Sequence, residues 1–153
     1  MTFLGLAQAD SHGNVNVSRF GTTIAGSGGF IDISQSAGKV VFCGTFTAGG
    51  LKVEIRDGAV KILQEGRNRK FIREVEHLTY STKYAEEAGQ KVIYVTERAV
   101  FEYRGGRLVL TEIAPGIDLE RDILGQMDFV PEVSPDLREM DSRLFYEERM
   151  ECK

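Results

Sequence analysis

The chain has 153 residues, 42% of them hydrophobic and 27% charged, with a formal net charge of −4. That is enough apolar chain for one domain with its own core, and the acidic balance leaves no electrostatic footprint for nucleic acid. No apolar run approaches the ~20 residues of a membrane span, and residues 1–4 carry no basic region or cleavage signature of a secretory leader.

Cys43 and Cys152 are too few for a disulfide framework and read as free thiols in a reducing cytoplasm. His12 and His77 lack ligand-like spacing, so no metal site is expected.

Residues 3–9 form a short apolar run that reads as a buried strand. Gln8 is its odd member: a polar amide there needs partners or must face a cleft. Turn residues 10–14 and a second extended piece, Val15 to Val17, make residues 3–17 a predicted hairpin. A polar, glycine-interrupted loop over 19–25 follows.

Gly26-Ser27-Gly28-Gly29 places three glycines in four residues, where the backbone must bend sharply or a ligand must come close. A glycine turn opening a helix leaves N–H groups unpaired, which suits a phosphate or a developing oxyanion; a tight turn without a ligand is the alternative. Residues 30–36 read as a short helix stopped by Gly38. Lys39 to Cys43 is a continuous apolar strand, expected in the interior and covered on both faces.

Residues 51–55 and 59–63 alternate with period two around Asp57-Gly58, a hairpin signal for strands buried on one face. Residues 65–70 read as a basic, solvated turn. A strand is expected over 75–80 and a short helix over 82–88, ended by Gly89. Residues 91–96 form a strand, and 99–103 with 107–113 a hairpin about Gly105-Gly106. Residues 117–127 suit a helix with Asp118 near its start. Residues 128–135 look irregular. The charged tail from Asp136 carries Leu137, Met140, Leu144 and Phe145, either a helical stripe or segments that dock on a partner.

The pattern is α/β: an open mixed sheet with a parallel core, antiparallel hairpins and flanking helices. Ligands on such sheets bind outside the carboxyl ends of strands. No Ser-His-Asp or Cys-His set is visible. Glu86 and Glu87 fall on a polar helix face, and Glu112 at a solvent position of its strand. A dinucleotide fingerprint needs a third glycine directly after a strand, which this loop lacks.

Ordered matches run along nearly the whole chain. Residues 3–10 with Gly13-Asn14-Val15-Asn16 resemble the LGxxQxD and GNxN segment of the family I CoA-transferases, the group of succinyl-CoA:3-ketoacid, acetate and propionate CoA-transferases. Residues 26–32 resemble that family's GxGGxxD loop, and Thr96-Glu97-Arg98-Ala99-Val100-Phe101 its TE[KR]AVF strand. Residues 110–116 resemble the end of its last sheet hairpin. Residues 42–50 look most like the propionate or short-chain acyl subgroup, and the likeness fades from Asp136.

The resemblance implies a C-terminal, beta-subunit-like CoA-transferase domain over residues 1–135 and a charged tail over 136–153. In such enzymes a glutamate attacks an acyl-CoA thioester, and an acyl-glutamyl anhydride and then a glutamyl-CoA thioester carry CoA to a second carboxylic acid. No glutamate of this chain matches the family's ExG motif, so no catalytic residue is expected here and the chain is expected to be inactive alone. What it implies here is a glycine loop that binds the CoA end, with Gly26, Gly28, Gly29 and Gln8 as contacts and Gly28 and Gly29 as oxyanion donors. Coenzyme A is then a substrate, and no cofactor is held permanently. The partners implied are acyl-CoA, small carboxylic acids and the remaining half of the enzyme, in a cytoplasmic homo-oligomer of short-chain fatty acid and ketone body metabolism. A non-catalytic module that completes a multi-chain enzyme is the alternative.

Overall fold

The computed structural model describes residues 1–148 and 150. Five short strands open the chain: β1 (Thr2–Gly5), β2 (Gln8–Ala9), β3 (Val15–Asn16), β4 (Arg19–Phe20) and β5 (Thr23–Ile24). Helix α1 (Phe30–Gln35) leads into β6 (Lys39–Cys43). Then come β7 (Thr47–Ala48), β8 (Lys52–Arg56), β9 (Ala59–Gln64), β10 (Asn68–Arg69) and helix α2 (Thr82–Glu87). β11 (Lys91–Val95), β12 (Ala99–Arg104), β13 (Arg107–Ile113) and β14 (Glu132–Glu139) complete the strands.

Six of them form one mixed sheet in the order β1-β6-β11-β12-β13-β14. β1, β6 and β11 run parallel, β12 and β13 form an antiparallel hairpin, and β14 joins β13 in parallel. β6 is therefore interior, as its unbroken apolar run predicts, and Val40, Val41 and Phe42 are all buried.

Register sets the core. Leu4, Phe42, Tyr94, Phe101, Leu110 and Val133 lie opposite one another in a single row across all six strands. Residues at this spacing share one face. Phe30 of α1 stacks on Phe42 at 5.8 Å between ring centroids, and Tyr80 meets Phe42 edge-on at 5.0 Å. A second aromatic group, Phe46, Phe71 and Phe101, continues this layer. The opposite face is more open, with Phe3 64% exposed.

Several expectations need correction. Residues 3–9 are not one buried strand: the run splits into edge strand β1, alternately exposed, and β2, which pairs with β3. Gly38 does not stop α1, and its φ is not left-handed. The end carbonyls are taken instead by the Gln90 side chain, whose Nε2 donates to Ser34 O at 2.8 Å and Ala37 O at 2.5 Å. β8 is exposed throughout, because β8 and β9 form a separate two-stranded sheet.

Residues 75–80 form no strand; Tyr80 makes only an isolated bridge to Val15. Residues 117–127 are helical but wound as a π-helical turn, Leu119–Ile123, and a 3₁₀ turn, Leu124–Gln126. Asp118 caps the first by accepting from Arg121 N at 2.7 Å. Among the described residues the tail carries no α-helical stripe: Leu137 lies on β14, which also takes in residues 132–135 of the stretch read as irregular, and Leu144 and Phe145 lie on a 3₁₀ turn, Ser142–Phe145. β14 crosses residues 135–136, with a large register shift where Pro135 lacks an N–H. Glu112, read as solvent-facing, is paired there with Arg138 at 2.6 Å.

Gly89 does end α2, with φ +65°. Cys43 is an exposed free thiol at the end of β6, and Cys152 lies outside the described residues. Among the described residues no helix is long and apolar enough to cross a membrane.

Candidate functional site

Two features meet the chain beyond the carboxyl ends of β1, β6 and β11, where open α/β sheets place ligands. The first is the glycine turn. Its entrance is fixed because Ala25 N and Gly26 N both donate to Ser18 O, at 2.9 and 3.1 Å. Its exit is fixed because Phe30 N donates to Ser27 O at 3.0 Å.

Gly26 and Gly28 are left-handed, with φ +81° and +51°, which explains why glycine stands at both. Between the two anchors the N–H groups of Ser27, Gly28 and Gly29 meet no acceptor among the described residues. A Cβ on Gly26 or Gly28 would meet nothing within 4 Å, so the space over the turn is open. A cleft of about 330 Å³ adjoins it, lined by Ser18, Ile24, Gly26, Ser27, Ile31 and His77 among others.

The second feature is a larger cleft of about 690 Å³, on the other side of the β4–β5 hairpin. Gln8 lies on its wall and satisfies both conditions set by its sequence position. Its Nε2 donates to Glu76 Oε1 at 2.7 Å, and its Oε1 accepts from Asn16 Nδ2 at 2.6 Å. Glu76 Oε2 in turn accepts the Gly21 N–H at 2.6 Å, tying the hairpin to Gln8. These bonds, Gly21's first and Gln8's second, hold the Glu76 carboxyl below its ordinary value.

A buried ion cluster joins Glu65, Glu97 and Arg98. Arg98 is fully buried, with Nε on Glu97 Oε1 at 2.6 Å, Nη1 on Glu65 Oε2 at 2.7 Å and its charge 5.0 Å from the Phe46 ring centre. Glu97 Oε2 accepts the Phe46 N–H at 2.8 Å. Burial acts to raise the Glu65 carboxyl, but hydrogen bonds from Arg98 and Thr47 outweigh it and set it below its ordinary value. Among the described residues, no group of three or more His, Cys, Asp or Glu side chains could hold a metal ion.

No protein-family model matches the chain. It is 55% identical over 148 residues to the acetate CoA-transferase YdiF of Escherichia coli K12, covering 97% of this chain and 28% of that protein. The chain is homologous to a portion of the family I CoA-transferases. Caffeate CoA-transferase of Acetobacterium woodii is 56% identical over 149 residues, again over 28% of its length. Among solved CoA-transferases, YdiF of E. coli O157:H7 in a thioester complex with CoA superposes with a TM-score of 0.93 at 55% identity, over 95% of this chain and 28% of that one. The chain thus spans a little over a quarter of the length of these CoA-transferases.

The structure brings Gly26, Gly28 and Gly29 together in one turn and puts Gln8 on the neighbouring cleft. Lys70, Glu65, Arg98 and Glu76 escape sequence reasoning. Residues 65–70 are not a solvated turn: Glu65 is bound to Arg98, and Lys70 is 7% exposed. Thr96-Glu97-Arg98 stands out as a CoA-transferase motif, yet nothing in it reveals that Arg98 is wholly buried.

Proposed function

We propose that this chain supplies the CoA-facing glycine turn of an acyl-CoA:carboxylate CoA-transferase that moves CoA between short-chain acids. The observation that carries this reading is the row of unpaired N–H groups at Ser27, Gly28 and Gly29, left open between two anchored ends. When a glutamate attacks a thioester carbonyl, negative charge grows on the carbonyl oxygen, and fixed N–H donors stabilise that charge more than the uncharged ground state. The left-handed glycines keep side chains out of the way of the thioester. Gly26, Gly28 and Gly29 are the CoA contacts in this reading, and Gln8, through Glu76, sets the wall beside them. The attacking glutamate comes from outside residues 1–153, so the chain alone is inactive.

The CoA thioester complex of E. coli YdiF and the caffeate enzyme support the substrate class: a CoA thioester and a carboxylic acid. Coenzyme A is a substrate here and not a resident cofactor. Exposed Phe3, Ile24 and Val130, at 64, 79 and 81% exposure, support association with the rest of the enzyme or a second copy. We place the assembled enzyme in the cytoplasm.

The test is a graft. Residues 1–148 replace the matching segment of E. coli YdiF, and the hybrid is given propionyl-CoA and acetate. Acetyl-CoA formation at a rate near the parent's is expected, with none from the 153-residue chain alone. A folded hybrid without exchange, or turnover by the chain alone, overturns the reading.

A further inference from the structure

Asn16 is fully buried and stands opposite Gln8 in the β2–β3 pair. Its amide uses every hydrogen-bonding position it has. Nδ2 donates to Gln8 Oε1 and to Arg19 O, both at 2.6 Å, and Oδ1 accepts from Ser18 N at 3.0 Å and Arg19 N at 3.2 Å. Ser18 is the residue whose carbonyl takes the Ala25 and Gly26 N–H groups. Its hydroxyl meets Thr79 Oγ1 at 2.7 Å, so the amide, hydroxyl and carbonyl of Ser18 are all engaged.

These bonds run in one direction. The Glu76 carboxylate only accepts, so Gln8 turns Nε2 to it and Oε1 to Asn16. Asn16 must then give Nδ2 to Gln8, which leaves Oδ1 for the Ser18 and Arg19 N–H groups. Turned over, the Asn16 amide would set oxygen against two acceptors and nitrogen against two donors. Such mismatches cost most where water is excluded.

We propose that Asn16 is a positioning residue of the CoA-transferase: it sets the Ser18 carbonyl, through it the glycine turn, and ties that turn to Gln8 in the neighbouring cleft. The inference rests on the transferase reading of the turn. A buried amide with all its positions filled has nothing to offer a substrate, so Asn16 acts through Ser18 O alone. Misplacing a catalytic group by about 1 Å costs about 10²-fold in rate.

The test uses two variants. Asn16→Asp keeps the acceptor for Ser18 N but loses both donors. In the double variant Asn16→Asp with Glu76→Gln the chain of bonds can run in reverse: the new amide at 76 donates to Gln8 Oε1, and Gln8 Nε2 donates to the new carboxylate at 16. In the YdiF hybrid, Asn16→Asp should lower kcat about 10²-fold with KM for propionyl-CoA nearly unchanged, because fixed N–H donors act mainly in the transition state. The double variant should regain much of that loss. In the labelled 153-residue chain, Ala25 and Gly26 amide exchange, taken relative to the β6 amides, should quicken about 2–10-fold in Asn16→Asp, the worth of one hydrogen bond, and slow again in the double variant. Leu108→Ala, a buried change on β13, controls for lost stability and should alter neither kcat nor that ratio.

A folded Asn16→Asp chain with unchanged Ala25 and Gly26 exchange, a double variant no better than the single one, or an equal kcat loss in Leu108→Ala overturns the proposal. If Asn16→Asp does not fold, the wild type decides: Asn16 Nδ2 protons should exchange far more slowly than a free amide's, and free-amide exchange overturns the proposal. The expected exchange pattern alongside a hybrid that cannot move CoA would overturn the transferase reading and leave Asn16 as the anchor of the turn. An active hybrid with unchanged exchange would remove the role of Asn16 alone.

Discussion

Arg98 and Glu65 form a two-pronged pair, Nη1 donating to Oε2 at 2.7 Å and Nη2 to Oε1 at 2.9 Å. The pair joins β12's entrance to the end of β9. Arg98 has no exposed side-chain surface, so its charge depends on Glu65, Glu97 and the Asp122 carbonyl, the last at 3.0 Å.

Glu65→Gln leaves the buried guanidinium short of one charge. Removing one partner of a buried pair costs about 3–5 kcal/mol, and Glu97 holds the expected loss to the lower end. Urea unfolding measures it; a loss within experimental error would show that the pair adds nothing. The Glu65 carboxyl is held below its ordinary value, so its contribution is complete above the unfolded carboxylate range and lost as pH falls through the lowered folded value. Stability of the wild type should therefore fall with acid more steeply than that of Glu65→Gln.

Gly44 is constrained by contacts and not by its backbone angle. A Cβ there would lie 2.8 Å from Lys70 Nζ and 2.9 Å from Leu6 O. The amine can swing away; the carbonyl, part of the sheet end, cannot. Gly44→Ala should cost about 1–3 kcal/mol by overpacking. Gly5→Ala meets nothing within 4 Å and should change stability by no more than about 0.5 kcal/mol. Equal melting temperatures for the two variants would contradict this packing.

Gly28 presents the opposite case, open space with φ +51°. Gly28→Ala should cost about 1–2 kcal/mol from the left-handed backbone alone. In the YdiF hybrid, Gly28→Val also screens the N–H row, and turnover should drop by about 10²–10³, the effect of losing one oxyanion donor. Melting temperature and turnover measured on the same samples separate the two effects. A folded Gly28→Val hybrid at full speed would remove the turn from the mechanism.

The Glu76 link to Gly21 should be visible by hydrogen exchange. Glu76 has a lowered carboxyl value, so its grip on the Gly21 N–H is kept above the ordinary carboxylate range and lost as pH falls through the lowered one. Protection of the Gly21 amide, corrected for intrinsic rate, should decrease in that acid window in the wild type and stay flat in Glu76→Gln. Flat protection in the wild type would show that the carboxylate is not what holds the hairpin.

The parallel core and the β12–β13 hairpin were legible because their residues are β-branched and aromatic in unbroken or alternating runs. The glycine turn was legible because few other residues accept its backbone angles. β14 was hidden by Asp136, Arg138 and Glu139, whose charges sit on an exposed edge strand, and by Pro135 at the register shift. The ion cluster was hidden for a different reason. Glu65 and Arg98 are 33 residues apart, and no local pattern marks a charge whose partner is that distant. Lys70 shows the same limit: neighbouring cations suggest solvent, while its surroundings come from Gly44 and Leu6.

The Gln90 side chain, by gripping the carbonyl end of α1, fixes one side of the glycine turn from a distance. Ser18 O fixes the other side through Ala25 and Gly26. Between these two moorings, only Ser27, Gly28 and Gly29 lie outside helix α1. Ordering a residue costs about 1–2 kcal/mol, so a ligand settling on this turn faces an entropic loss confined to about three residues, not to a whole loop. The turn is preorganised by its supports, and loosening Gln90 should weaken the binding of a thioester that Gln90 never touches.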